Sequence, residues 1–442
     1  MTVAEVKLWG RRIGAVSVDG PGQIASFEYT PEFAASGIEV APLMMPLTPS
    51  STTAPSTRVF RFADLAPQTF HGLPGMLADS LPDAFGNAVI AAWLAAQGRL
   101  PGEIDAVERL CYTGSRGMGA LEFEPSKGPR SDRPTPIQVD ALVALATDVL
   151  RSRERMTVSF ADADRELALR EILRVGASAG GARAKAVIAW NPTTNAVVSG
   201  PVAAPPGFEH WLLKFDGVDG TQGTELAQPL GFGAIEFAYA NMARAAGITM
   251  SECRMFEENG RRHFMTRRFD RVGAREKLHM QSLAAIAHLD FNAAGAHSYE
   301  QALLVIRRLE IGMDAVVEQF RRMVFNVVAR NQDDHVKNIA FLMDKRGVWS
   351  LAPAFDLTYS HNPVGAWTAQ HQMTLNGKRD GFTRADLRAV AKVASMKRGQ
   401  ADAILDEVLA VAARWPEFAS AAGVADATAK AVGGTHRTTW EG

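Results

Sequence analysis

Two cysteines in 442 residues are too few for a disulfide framework or a zinc–thiolate cluster. Cys111 and Cys253 are expected to be buried, inert thiols of a chain kept in a reducing compartment. A surplus of one charge is missing as well. Lys and Arg number 47 against 48 Asp and Glu, a formal net charge of −1, so no global field directs the chain to nucleic acid or anionic lipid. No apolar run approaches the roughly 18 residues that a transmembrane helix requires, and no membrane association is expected. The opening stretch MTVAEVKLWGRRIGAVSVDG alternates apolar and polar residues and lacks the apolar h-region of a signal peptide, so the expected location is cytoplasmic. What is present is ordinary for a globular protein: 47% hydrophobic and 21% charged residues, in a length that suits two or three domains.

Residues 1 to about 70 read as β-rich. KLWGRRIGAVSVDG predicts a hairpin turning at Gly10, and QIASFEYT predicts a further strand. PLTPSSTTAPSTRVF is a Pro/Ser/Thr loop ending in a short strand. Ala88, Val89, Ala92, Trp93 and Ala96 then recur at helical spacing up to Gly98, and IDAVERLCYTG continues with a second helix. RELALREILRV predicts a helix, and VGASAGGARAKAVIAW a glycine-rich turn running into a strand. HWLLKFDG is a strand, GAIEFAYANMARAAG a helix, and CRMFEENGRRHFMTRRFDR a hairpin turning at Asn259-Gly260. Beyond about residue 275 the pattern is mainly helical, and the terminal ATAKAVGGTHRTTWEG reads as a frayed tail. The order implies an α+β chain with a β-rich module at 1–110, a mixed lobe at 111–270 and a helical lobe at 271–442. Ligands favour the cleft between such lobes.

The segment 330-RNQDDHVKNIAF-341 concentrates the candidate chemistry. It follows the apolar helix MDAVVEQFRRMVFNVVARN and precedes a hairpin, IAFLMD–KRGV–WSLAP, that runs into AFDL. Asp333 and Asn338 stand as D-x-x-x-x-N, the separation of catalytic Asp and metal-binding Asn in the protein-kinase catalytic loop. In that arrangement the Asp accepts the substrate hydroxyl proton, while the Asn and a second Asp on the following strand hold Mg²⁺. Asp356 has the place of that second Asp, and hard oxygen ligands suit Mg²⁺. Taken alone, the same residues describe a solvated loop after a helix.

Two upstream features favour the chemical reading. Gly176, Gly180 and Gly181 lie between a helix and a strand, where backbone N–H groups can approach an anion. Lys214 sits mid-strand among apolar neighbours, with Glu236 on the next helix in the place of the kinase ion-pair glutamate.

The ordered set VGASAGGARAK, HWLLKF, GAIEFAYANMARAAGI, TRRFDR, DDHVKN and PAFDL resembles the HipA family of bacterial toxin kinases, and LPGMLADSLPDAFGNAVI resembles that family's N-terminal module. The resemblance spans nearly the whole chain. It implies a two-lobed, protein-kinase-like fold with a small β-rich N-lobe and a larger helical C-lobe. It also implies an ATP- and Mg²⁺-dependent serine/threonine protein kinase, with Asp333 as catalytic base and Asn338 and Asp356 as metal ligands. The phosphate loop around Ser178, Gly180, Gly181, Ala182, Arg183 and Lys185, together with Lys214 and Glu236, would serve the nucleotide. Arg267, Arg268 and Phe269 would form the hinge segment, with His335 and Lys337 bordering the nucleotide. Ser178 has the place of the family's autophosphorylated serine, where phosphate would add about −1.5 to −2 charge to an anion cradle. The implied partners are a small helix-turn-helix antitoxin, operator DNA bound through that complex, and a protein target such as an aminoacyl-tRNA synthetase. Ala184, Arg267 and Asp334 depart from the family pattern.

Two rival readings remain. Gly176-Ala177-Ser178-Ala179-Gly180 spells the G-x-S-x-G nucleophile elbow of α/β-hydrolases, with His335 or His361 as base. That motif needs strand–turn–helix, whereas the flanks here read helix–turn–strand. The other rival is a catalytically weak, DNA-bound co-repressor, for which Lys378 and Arg379 are the candidate phosphate contacts; a charge run this short is usually a solvated turn.

Overall fold

The computed structural model describes residues 1–47, 58–128, 134–152, 163–176, 183–200, 203–218 and 231–440. The chain divides into two compact units. The first comprises Met1–Leu230, Arg254–Gln281 and Met343–Gly347, and the second Gly231–Cys253, Ser282–Leu342 and Val348–Gly442. No helix among the described residues is long and apolar enough to cross a membrane.

The first unit carries two antiparallel five-stranded sheets. One has the order Val59–Phe60, Ser26–Tyr29, Arg11–Val18, Thr2–Leu8, Leu121–Glu124. Its first hairpin closes through Trp9 and Gly10, at φ 51° and 78°. Two consecutive left-handed residues are what a two-residue hairpin turn demands, because their twist matches that of the strands. The second sheet has the order Val197–Ser199, Lys185–Trp190, Glu209–Lys214, Arg261–Arg267, Cys253–Glu258. Asn259 and Gly260, at φ 48° and 75°, close its outer hairpin in the same way.

Lys185–Trp190 is buried along its whole length. A strand covered on both faces loses the alternation that marks a half-exposed one. Its residues join one apolar cluster with the helices Ala84–Ala96, Val139–Ser152 and Ala163–Gly176. The helix Ala84–Ala96 starts where Asp83 Oδ1 accepts from Gly86 N at 2.6 Å, the usual role of an N-cap carboxylate.

The second unit is helical around Met313–Val328, with Tyr299–Arg308, Phe232–Ala245, Gln400–Ala412 and Trp415–Ala421 among its elements. Tyr239 anchors it. Its ring lies 5.2 Å from Trp415 and 6.2 Å from Phe325, and its hydroxyl donates to Ala329 O at 2.7 Å. The C-terminus corrects an expectation. Residues read as a frayed tail from Ala427 onward include all but the first residue of the helix Asp426–Gly433, beyond which His436 Nε2 lies 3.0 Å from Tyr239 Oη and Arg437 N donates to Val328 O at 2.9 Å. Short polar residues hid the docking, because the partners lie far away in sequence.

Candidate active site

The central helix of the second unit ends at Val328, and Arg330 turns the chain with φ 57°. A bulky residue in the left-handed region needs an external tie, and Arg330 has one, donating from Nε to Thr435 O at 2.9 Å. The chain then pairs sideways. Asn331 forms a parallel bridge with Ser360, through Gln332 N to Ser360 O and Ser360 N to Arg330 O, both 3.1 Å. Met250 bridges Ala354 in the same manner. Asp356 therefore lies between two anchored points, and its own φ is 57°. Left-handed non-glycine backbone is sparsely populated and concentrates at functional positions, and Asp tolerates it better than most residues.

The acidic loop is thereby brought beside the AFDL stretch. Asn338 ends a short 3-10 turn and donates from Nδ2 to Asp333 O at 2.8 Å, which closes D-x-x-x-x-N into a ring. A small cavity of about 20 Å³, room for a single water, is lined by Asn331, Asp334, His335 and Asn338 from one segment and by Ala354, Phe355 and Leu357 from the other. Both neighbours of Asp356 thus face the space that the loop faces. The Asp333 side chain is 41% exposed, with His335 Nε2 3.8 Å from its Oδ1. Phe291 organises the rest of the loop: Lys337 Nζ lies 4.9 Å over its ring and the His335 ring is 5.8 Å away.

The adjacent carboxylates have opposite environments. Asp334 is wholly buried and accepts from Tyr299 Oη at 2.6 Å, His371 Nδ1 at 2.8 Å and Gln372 N at 2.7 Å. Burial alone would raise its pKa. The neighbouring His371, the Tyr299 hydroxyl and the Gln372 amide outweigh that and hold it below the ordinary carboxylate value. Asn326 extends the network, donating to Tyr299 Oη and accepting from Asn331 Nδ2, each at 3.0 Å. The departure at Asp334 is therefore an internal latch. Tyr299, Asn326, His371 and Gln372 were not singled out in the sequence. No local signal marked them, because the partners of Asp334 lie far from it along the chain.

In the first unit, Lys214 is 8% exposed on Glu209–Lys214, paired across the sheet with Phe264 and Lys185, and its Nζ lies 5.7 Å over the Phe264 ring. Lys185 Nζ is 3.0 Å from Asp83 Oδ2, with both side chains almost fully buried. Ala184 is 0% exposed inside the apolar cluster, so an acidic residue there would bury a charge. Gly176 packs closely, since a Cβ would lie 3.0 Å from Phe85. Arg183 is half-buried two residues before the strand Lys185–Trp190. Ser178, Gly180, Gly181 and Ala182 lie outside the described residues. The elements around them run helix Ala163–Gly176, then strand Lys185–Trp190, the reverse of a nucleophile elbow.

The three residues expected at the hinge divide. Arg267 is half exposed and ion-paired with Glu209 at 3.1 Å, and Phe269 is half-buried. The Arg268 guanidinium is fully buried on Asp270, at 2.6 Å, and its backbone N donates to His210 O at 2.9 Å. Arg271 completes that ion cluster, at 2.6 Å from the same carboxylate. Glu236 is buried on Phe232–Ala245 in the second unit. Lys378 is ion-paired with Asp386 at 2.8 Å, and Arg379 Nε donates to His371 O at 2.6 Å.

Among the described residues no cluster of three or more His, Cys, Asp or Glu is placed to hold a metal. Asn338 lines the cavity together with Phe355 and Leu357, while Asp333 and Asp356 are not among its lining residues. The Asn338 nitrogen is engaged by Asp333 O, which leaves the amide oxygen as the end for a hard cation. Amide and carboxylate oxygens are the donor type that Mg²⁺ takes, alongside waters and phosphates.

Comparison with known proteins settles the family. The model of the HipA-like C-terminal domain matches residues 177–415 and that of the HipA N-terminal domain matches residues 4–124. The chain belongs to the HipA family. A solved HipA structure from Shewanella oneidensis MR-1, described as a toxin–antitoxin system of HipA, HipB and operator DNA, aligns over 98% of this chain and 94% of that one. The TM-score is 0.66 at 14% identity, which establishes a shared HipA fold. A Helicobacter pylori proinflammatory kinase, CtkA, aligns over 51% of this chain and 92% of its own, with a TM-score of 0.31 at 12% identity. No curated protein sequence matches this chain.

Proposed function

We propose that this HipA-family chain is an ATP- and Mg²⁺-dependent serine/threonine protein kinase acting as the toxin of a toxin–antitoxin pair. The observation that carries the reading is the ring closed by Asn338 on Asp333 O, beside a cavity that the segment around Asp356 also lines. In this reading Asp333, the exposed member of the acid pair, accepts the proton of a target hydroxyl. Asn338 and Asp356 supply oxygen ligands for Mg²⁺, and Lys214 contacts phosphates. Held there, the metal would supply positive charge against the transferring phosphoryl group. Because that transition state is loose, the protein's share is chiefly placement: a hydroxyl in line, a base within reach, and water kept out. Glu236, Arg183, Arg267, Phe269, His335 and Lys337 are assigned to the nucleotide's surroundings. The buried Lys185 and the Arg268 guanidinium are assigned to the scaffold that carries those surroundings.

The remaining assignments follow the family. Ser178 is the proposed autophosphorylation site, and a helix-turn-helix antitoxin the proposed partner. The Shewanella relative was solved with HipB and operator DNA. DNA would be reached through such an antitoxin, because Lys378 and Arg379 already have partners within the chain. An aminoacyl-tRNA synthetase is the proposed target class. The test is a phosphoproteome of host cells producing the protein, set against one from cells producing Asp333→Ala. A new phosphosite that depends on Asp333 is expected; identical phosphoproteomes would remove the kinase reading.

A further inference from the structure

The loop that bears Asp333 and Asp334 is tied to one later segment, residues 362–372, through both carboxylates. Inside, Asp334 holds His371 Nδ1 and Gln372 N. Outside, Trp367 Nε1 donates to Asp333 Oδ1 at 2.7 Å. The span between these ties is itself braced: Asn362 N donates to Thr368 O at 3.2 Å, and the Gln372 side-chain amide donates to Trp367 O and, at 3.3 Å, to Gln332 O. Trp367 is half-buried, so its indole is held by backbone anchored at a fully buried latch.

We propose that Trp367 is a positioning residue for the catalytic base, fixing one oxygen of the Asp333 carboxylate so that its plane faces the incoming hydroxyl. The proposal rests on the kinase reading of Asp333. Two effects of the indole N–H oppose each other. A donor to a carboxylate stabilises the charged form and weakens it as a base. It also removes rotation of a half-exposed side chain whose geometry the reaction needs. In a loose phosphoryl-transfer transition state little proton transfer has occurred, so base strength counts for less than placement. Orientation should therefore dominate, and loss of the indole should slow transfer.

The test uses the full chain, with transfer from γ-labelled ATP to casein as the probe reaction. Trp367→Phe keeps an aromatic ring and removes the donor; Trp367→Leu removes both. Each should lower kcat about tenfold while leaving KM for ATP unchanged, the size expected for one hydrogen bond to a partly solvated charge. Independently, the Trp367 indole N–H resonance in nitrogen-15-labelled protein should move when Asp333 becomes Asn, a readout that needs no tryptophan variant to fold. If the parent protein transfers phosphate and both variants keep full kcat, the proposal is overturned and the kinase reading stands. If the parent transfers nothing while the indole resonance still responds to Asp333→Asn, the kinase reading fails and the proposal falls with it. An indole resonance indifferent to Asp333→Asn overturns the proposal outright.

Discussion

Replacing Asp334 by Ala should destabilise the second unit severely. The substitution removes the acceptor for three donors at once: the Tyr299 hydroxyl, His371 Nδ1 and the Gln372 amide. All three are buried, so water cannot replace the carboxylate without opening the loop. An orphaned buried donor costs about 1–3 kcal/mol, and three are orphaned at once. These costs overlap, so about 3–5 kcal/mol is the expected loss, a large share of the roughly 5–15 kcal/mol that keeps a domain folded. In a unit of this size that lowers the melting midpoint by about 6–20 °C. Urea and thermal unfolding at pH 7, followed by circular dichroism, measure it. Asp334→Asn, which keeps one acceptor and adds a donor, should fall between the two. The pH dependence has a definite sign. The folded-state pKa of Asp334 is depressed, so its contribution is fully present above the unfolded value of about 3.9 and is lost as pH falls through the folded one. The parent should therefore lose this increment only in acid, and the Ala variant should show a flatter acid limb. A loss below about 1 kcal/mol in Asp334→Ala would refute the latch.

Two further outcomes follow from buried pairs. Asp83→Ala leaves the Lys185 ammonium without its carboxylate in the first unit and removes a helix cap, so about 3–5 kcal/mol should be lost by urea unfolding; Asp83→Leu with Lys185→Met should recover most of it. Tyr239→Phe removes the hydroxyl shared by Ala329 O and His436, so the second unit should lose about 1–2 kcal/mol by the same measurement, and limited proteolysis should clip the C-terminal tail faster.

The sequence disclosed what depends on near neighbours. Gly10 and Asn259-Gly260 announced their hairpins because Gly and Asn accept the left-handed region readily, whereas a left-handed Trp9 was not foreseen. The central helix was legible because Val316, Phe320, Val324 and Val327 repeat at one face and are all buried. D-x-x-x-x-N marked the loop whose ends the structure closes with one amide hydrogen bond. Functions set by distant partners were not legible. Lys185 and Asp83 lie about a hundred residues apart, and nothing local to either announces their ion pair. Asp334 read as a departure from the family because its partners Tyr299 and His371 lie on either side of it, tens of residues away. Trp367 sits in a polar, glycine-containing stretch with no periodicity, and only the tertiary fold carries it to Asp333.

Calorimetric titration of ATP, with and without Mg²⁺, into the parent protein, Asp333→Ala and Asp356→Ala tests the division of labour most directly. The account predicts that Asp333→Ala retains Mg²⁺-dependent nucleotide binding yet transfers no phosphate, while Asp356→Ala loses the Mg²⁺ dependence of binding. Phosphate transfer by Asp333→Ala at the parental rate, or Mg²⁺-dependent binding that Asp356→Ala leaves intact, would contradict it.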